Sequence, residues 1–343
     1  MLNKNSLREA LSICIPTRNR PDKLIYTVRA FYRQIKSYSV KIYISDNSDD
    51  ENTMKLIDEN FGLDNNLVIY MKNSAESKTY QTNFLNLVSN AKGEYLWFFG
   101  DDDLPYDYAL DKVFSHLDES PDFIEVRYVG YDEKLEKVLP YWKVTIEKDV
   151  RIDKDSFIHE LILTLPYNGF ISFIIMKRNH ILNTLDNKLI NRDSNYIQTY
   201  VWVIGMLTMP QESFGYSIGD PIVKWCEDFG TPSNKVRWSK SRFLLSLEHR
   251  EIFVMLSREY KIPTLLNKYD GNFQYKLIAM ALDWRLRHHM SLDDSLLVNK
   301  QNQDLHLFTR VIFLFIGICP VDLVRKTKKI LSGLYNHISD NYS

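Results

Sequence analysis

The chain predicts an α/β fold, a mostly parallel sheet flanked by helices, with a helical appendage at its C-terminal end. Three observations carry that prediction. Through the first third of the sequence, short apolar runs alternate with segments of helical period. Three of those runs end in polar clusters, PTRNR, SDNSDD and GDDD. From about Ser239 onward the strand-like runs stop and only helical periodicity remains.

The elements follow in order. LSICIPT is an Ile-rich run that stops at Pro16. In NRPDKLIYTVRAFYRQI, residues Leu24, Val28, Phe31 and Ile35 form one helical stripe, and Pro21 suits the first turn, where a missing N–H costs nothing. VKIYISDNS reads as a strand, DENTMKLIDENF as a helix and NLVIYMKN as a strand. TYQTNFLNLVSNA is a helix turning Phe84, Leu87 and Val88 inward, and EYLWFFG is a fourth strand. Strand and helix in strict turn imply right-handed crossovers and a sheet covered on both faces. Ligands of such sheets bind beyond the carboxyl ends of the strands, so the three polar clusters should meet at one edge.

Past Asp103 the pattern loosens. DFIEVRYVGYD predicts a strand, DSFIHELILTL a helix and GFISFIIMK another apolar strand. SKSRFLLSLEHREIFVMLSREY, YKLIAMALDWRLRHHM and HLFTRVIFLFIG predict helices, the last broken by Pro320. The expected division is residues 1–238 for the α/β domain and 239–343 for the helical region.

At 343 residues the chain can hold one large α/β domain plus an appendage. A formal net charge of -1 argues against nucleic acid as a partner. The aromatic share is 13%, with 21 Tyr and 18 Phe, which supplies core packing first and stacking surfaces second. Cys14, Cys226 and Cys319 are far apart and form no metal-like spacing, which fits a reducing, cytoplasmic compartment. His159, His249 and the pair His288-His289 have no carboxylate or thiol at ligand spacing, so a metal role for them is not expected. The N-terminus shows no apolar segment of secretory type. The uncharged run Ser194 to Gln211 reads as a buried helix, and Val311 to Cys319 is too short to cross a bilayer. A soluble or peripheral protein is expected.

The chemistry concentrates in YLWFFGDDD, Tyr95 to Asp103, where a buried run ends in three carboxylates. Gly100 is expected to let the chain turn there. Continued extended geometry would point Asp101 and Asp103 the same way. Two carboxylates held together repel, and their pKa values rise unless a cation neutralises them. A hard divalent ion, Mg²⁺ or Mn²⁺, accepts one or two carboxylates and completes its shell with substrate phosphates. The alternative is a solvated acidic turn.

SICIPTRNRP, KIYISDNSDD, the KNSAESKTYQTNFLNLVSNAKGEYLWFFGDDD block and NGFISFIIMKR together resemble family 2 glycosyltransferases of the GT-A fold. The resemblance runs over residues 10 to 180, and more loosely to 238. It points to bacterial members that build surface polysaccharides, of the abequosyltransferase-like kind. It implies a nucleotide-sugar donor and a glycan or lipid-linked glycan acceptor. Pro16, Thr17 and Arg18 would lie beside the nucleotide. Asp46 would accept a hydrogen bond from the base, which favours a UDP-sugar. Asn73 and Asn83 would line the donor pocket. Asp101 and Asp103 would hold Mn²⁺ or Mg²⁺, with Asp103 the more direct ligand and Asp102 beside the donor in the same loop. Without a ligand, Asp46, Asn47 and Ser48 also read as a turn and helix cap, Arg18 as a surface charge, and Asn83 as a helix residue bonded to a loop.

An inverting member needs a base for the acceptor hydroxyl, in the family usually within a Glu-Asp pair some ninety residues past the metal motif. LINRDSNYIQTYVWVIGML contains no such pair. Asp193 lies at that distance, Gln198 could stand in the base position without acting as one, and Asp228 of WCEDFG is a third choice. NKVRW distantly resembles a signature of processive members, which leaves Arg237 and Trp238 as donor-loop contacts. Two other classes compete: a non-catalytic partner that keeps the fold, and a sugar-1-phosphate nucleotidyltransferase, against which the absence of glycine in PTRNRP counts. The tail carries Arg325, Lys326, Lys328 and Lys329 after an apolar helix, suited either to an anionic membrane surface or to packing on the domain or a second subunit.

Overall fold

The computed structural model describes residues 10–226 apart from 39, 64, 75–78, 144–147, 159–170 and 191–196, with a few positions between 254 and 318. Asp193, Asp228, His159, Arg237, Trp238 and most of the expected C-terminal helices lie outside the described residues. The chain divides into two units, residues 1–161 with 168–228 and residues 162–167 with 229–343. The first unit contains every element named below.

Its elements run β1 (Leu11–Thr17), α1 (Pro21–Tyr38), β2 (Lys41–Asp46), α2 (Asn52–Phe61), β3 (Val68–Lys72), α3 (Tyr80–Asn90) and β4 (Tyr95–Phe98). There follow β5 (Leu104–Pro105), α4 (Ala109–Leu117), β6 (Phe123–Tyr131), β7 (Val138–Lys143) and β8 (Val150–Asp153). A 3-10 turn (Ile171–Phe173) leads into β9 (Ile174–Lys177), α5 (Arg178–Leu185), α6 (Ile197–Thr208) and β10 (Phe214–Cys226). The sheet order is β3-β2-β1-β4-β9-β6-β10-β5, with β7 on β6 and β8 on β10.

The first four strands are mutually parallel, as the strand–helix alternation demands. β9 then enters antiparallel between β4 and β6, and β10 runs parallel to β6. Period-2 alternation at the end of β4 supplies both faces of the core. Trp97 and Phe99 meet Phe31 of α1 edge-on, at centroid distances of 5.6 and 4.7 Å. Phe98, between them, stacks on Phe84 of α3 at 4.6 Å. The predicted α1 stripe of Leu24, Val28, Phe31 and Ile35 is fully buried, as are Phe84 and Leu87. Burying side chains of this size removes roughly 1.5–3 kcal/mol of apolar exposure each.

Two differences from the sequence reading have clear causes. GFISFIIMK yields a strand over only Ile174–Lys177, because the preceding residues wind into the 3-10 turn. β10 was not foreseen. Its register on β6 shifts on both sides of Pro221, a residue that cannot donate to a ladder.

Candidate active site

The carboxyl ends of β1, β2 and β4 do converge. Thr17 pairs in register with Asp46, and its hydroxyl donates to Asp101 Oδ2 at 2.7 Å. The Asn47 N–H and the Asn83 side-chain amide both donate to the Thr17 carbonyl, at 3.0 Å each. One residue thus ties the first strand to the carboxylate triplet through its hydroxyl and to α3 through its carbonyl.

The triplet is a turn and not an extension of β4, which ends at Phe98. Asp101 and Asp103 therefore reach in different directions. Asp101 faces β1 and α1, taking the Thr17 hydroxyl and, at 3.4 Å, the Arg20 guanidinium. Asp103 accepts from the Ser172 hydroxyl at 2.6 Å and from the Cys226 N–H at 3.1 Å. Asp102 pairs with Arg20 at 2.9 Å and has the most exposed carboxylate of the first two, 20% against 10% for Asp101. The Thr27 hydroxyl of α1 lies 3.1 Å from the Asp101 carbonyl and 2.7 Å from that of Asp103, pinning the turn's backbone.

Gly100 has a role other than the expected one. Its φ is not positive, so no turn conformation requires glycine. A Cβ there would instead stand 2.7 Å from Asp103 Oδ2. Glycine is the space into which that carboxylate fits. Ser172 completes the arrangement: its hydroxyl accepts the Gly100 N–H at 2.9 Å while its carbonyl accepts the Trp97 indole N–H at 2.9 Å. With its acceptor side occupied, the hydroxyl proton is directed at Asp103.

Burial, followed by the neighbouring charge of Asp102, pushes the Asp101 carboxyl up to about 6 and that of Asp103 up to about 8. The Arg20 charge and the Thr17 hydrogen bond at Asp101, and the Ser172 and Cys226 hydrogen bonds at Asp103, act the other way without cancelling burial. Among the described residues no three of His, Cys, Asp and Glu converge as a complete metal cage. Two buried oxygen donors with an excess of negative charge nevertheless fit a hard divalent ion that finishes its shell with phosphate and water.

Asp46 closes β2 and is fully buried. Its Oδ1 accepts the Ser48 N–H at 2.7 Å, and its Oδ2 accepts the Tyr70 hydroxyl at 2.6 Å and Lys72 Nζ at 3.2 Å. Asn73 and Asn83 are joined to each other: Asn73 Nδ2 donates to Asn83 Oδ1 at 2.7 Å and to Asn47 Oδ1 at 2.7 Å. Ser45 donates to Asn83 Oδ1, and Asn86 donates to Asn73 Oδ1. This amide network fastens the ends of β1, β2, β3 and α3 behind the carboxylates. Pro16 is buried within β1. Arg18 is half exposed and pairs with Asp49 at 3.7 Å. Gln198 is buried on α6 and accepts the Tyr80 hydroxyl.

Sequence reasoning missed Arg20, Thr27 and Ser172. The signal for Arg20 was present, since Pro21 at the helix start leaves Arg20 at the helix entry, where it is aimed at the strand ends.

Similarity to known proteins agrees with this geometry. The family model described as Glycosyl transferase family 2 matches residues 12–180. Over 113 residues the chain is 35% identical to abequosyltransferase RfbV of Salmonella typhimurium, taking in 33% of this chain and 34% of that relative. The match thus spans about a third of the curated relative's length. Among solved structures, S. aureus TarS 1-349 superposes with a TM-score of 0.52 at 13% identity, covering 93% of this chain and 91% of that one. The same TarS segment in complex with UDP-GlcNAc gives 0.53 at 14% identity, over 89% and 90%. At such identities the shared property is the fold.

Proposed function

We propose, from the match of residues 12–180 to the family model described as Glycosyl transferase family 2, that the chain moves a sugar from a nucleotide-diphosphate sugar to a hydroxyl of a bacterial surface-glycan precursor. The observation that carries this reading is the pair of buried carboxylates, Asp101 and Asp103, at the shared carboxyl edge of three parallel strands. The abequosyltransferase relative supports a deoxyhexosyl or hexosyl group as cargo. The UDP-GlcNAc complex of TarS supports a UDP-type donor.

Asp101 and Asp103 would hold Mn²⁺ or Mg²⁺, with Asp102, Pro16, Thr17, Arg18, Asp46, Asn73 and Asn83 around the donor. The ion supplies charge stabilisation for the departing diphosphate. The chain's own residues orient the ligands: Thr17 fixes Asp101, and Ser172 with the Cys226 N–H fixes Asp103. Asp46 can receive a base only by sharing an oxygen already bonded to Tyr70, Lys72 or Ser48. For the acceptor proton, Asp193 and Asp228 are the candidate bases of an inverting transfer. Gln198 cannot serve, because an amide does not take up a proton at neutral pH. Residues 1–238 constitute the catalytic part in this reading. Residues 239–343, whose sequence pattern predicts helices, would contact a membrane face or a second subunit, as suits a cytoplasmic enzyme using a lipid-linked acceptor. Among the described residues no helix is long and apolar enough to cross a membrane.

The test incubates the protein with a panel of nucleotide-sugars, with and without Mn²⁺, and follows nucleoside diphosphate release and thermal stabilisation. Metal-dependent stabilisation by a nucleoside diphosphate, lost in Asp103→Ala, is the expected result. Absence of stabilisation by every nucleotide, with Mn²⁺ and with Mg²⁺ in its place, would overturn the site. Asp193→Asn should reduce turnover at least a hundred-fold, in keeping with the roughly 10²–10⁴-fold contribution of a general base, while donor binding is retained.

A further inference from the structure

We infer that Arg20 is a built-in counter-ion, which holds the carboxylate turn in the metal-free protein and competes with the divalent ion for Asp101. The inference rests on the reading of Asp101 and Asp103 as metal ligands. Arg20 Nη1 lies 2.9 Å from Asp102 Oδ2 and 3.4 Å from Asp101 Oδ1, so one guanidinium nitrogen bridges two carboxylates. The two contacts are unequal. The short one goes to the more exposed carboxylate, and the long one to the buried carboxylate assigned to the metal.

The location makes this a device and not a chance surface pair. Arg20 immediately precedes α1, and its carbonyl accepts the Leu24 N–H as the helix begins. Two turns into the same helix, Thr27 bonds the carbonyls of Asp101 and Asp103. The start of α1 therefore grips the triplet twice, once through charge and once through backbone. Thr27 holds the turn's shape whatever the charge state, while the Arg20 contact depends on the carboxylates remaining anionic. Among the described contacts one guanidinium faces two of the triplet's three carboxyl groups, so a divalent cation would add positive charge where the turn is richest in carboxylate oxygen. Arg20 can relinquish the long contact to Asp101 when the ion arrives and keep the short one to Asp102, so the turn does not have to refold.

This makes Arg20 a positioning residue with two opposed effects, support of the metal-free turn and weakening of metal affinity. The experiment measures Mn²⁺ binding to the nucleotide-free full chain by the electron paramagnetic resonance signal of free Mn²⁺. It compares wild type, Arg20→Met and Arg20→Lys, with thermal unfolding recorded in chelator and in saturating Mn²⁺. Arg20→Met should bind Mn²⁺ about five-fold more tightly, the scale of removing one partly exposed ion pair. It should unfold at lower temperature in chelator, with the gap to wild type narrowing in Mn²⁺, and Arg20→Lys should fall between. Unchanged or weaker Mn²⁺ binding by Arg20→Met would overturn the inference while leaving the metal site standing. No Mn²⁺ binding by wild type would overturn both. Asp103→Ala, which should lose Mn²⁺ binding in either Arg20 background, distinguishes the two cases.

Discussion

Replacing Gly100 with Ala tests the site through one added carbon. The new Cβ would sit 2.7 Å from Asp103 Oδ2, 3.1 Å from its Cγ and 3.3 Å from Asp102 Oδ1. Ordinary contact begins at 3.4 Å, so Asp103 must retreat by about 0.7 Å. A free carboxylate would do so at little cost. This one is held by Ser172 at 2.6 Å and by the Cys226 N–H at 3.1 Å, and retreat sacrifices at least one of them. Above about pH 8, where Asp103 is ionised, a hydrogen bond to this charged acceptor contributes about 1.5–3 kcal/mol, from which the gain of roughly 0.4–1 kcal/mol for restricting the unfolded chain is subtracted. The net loss is about 1–2 kcal/mol, or a fall in Tm of roughly 2–8 °C for a unit of this size. Differential scanning calorimetry reads the stability, and titration calorimetry with a nucleoside diphosphate and Mn²⁺ reads the ligand. The decisive comparison is a double-mutant cycle with Asp103→Ala, because removing the carboxylate removes the clash. An equal Gly100→Ala penalty in the Asp103→Ala background would refute the reasoning, and so would undiminished ligand affinity in the single variant.

Three further outcomes are expected. In chelator, the folded chain holds protons on Asp101 and Asp103 more tightly than the unfolded chain does, with folded pKa values of about 6 and about 8 against 3.8. Stability should therefore fall as pH rises from about 4 to about 8. Asp103→Asn should flatten the upper part of that profile, and an identical Tm–pH curve would contradict the assignment. Ser172→Ala strips Asp103 of a directed donor and orphans the Gly100 N–H, so diphosphate affinity in Mn²⁺ should drop about ten-fold, measured by titration calorimetry. Asn83→Leu leaves the Thr17 carbonyl and the Asn73 amide short of partners in a buried network, costing about 2–4 kcal/mol in a urea titration.

Much of this architecture was legible from residue patterns, for identifiable reasons. A parallel sheet buried on both faces needs nearly continuous apolar strands, and its helices need one apolar stripe. LSICIPT and the Leu24–Ile35 stripe are direct imprints of those needs. The convergence of Thr17, Asp46 and Asp101 followed from topology alone, because parallel strands share a carboxyl edge. Other features depended on contacts across long separations. Ser172 reaches Asp103 from a 3-10 turn 69 residues away, and nothing local marks that serine. β10 carries Gly219, Asp220 and Pro221, which read as turn residues, yet register shifts between Ser217 and Val223 accommodate them within one strand. Arg18 and Arg20 were indistinguishable as residue types. Only the start of α1 at Pro21 decides which of them meets the triplet.

The grip on Asp103 has a consequence for how the protein is made. Its two partners are Ser172 and the Cys226 N–H, the latter 123 residues downstream. During synthesis β1 to β4 can pair early, each strand joined to the next through a single crossover helix. Asp103 cannot be enclosed until β10 has emerged and docked. A ribosome-bound or truncated chain would thus possess the β1–β4 half of the sheet with an open acidic turn, and long-range closures of this kind are slow steps. β10, the last of the described strands, is thus the latch that closes the acidic turn of an already folded half-sheet.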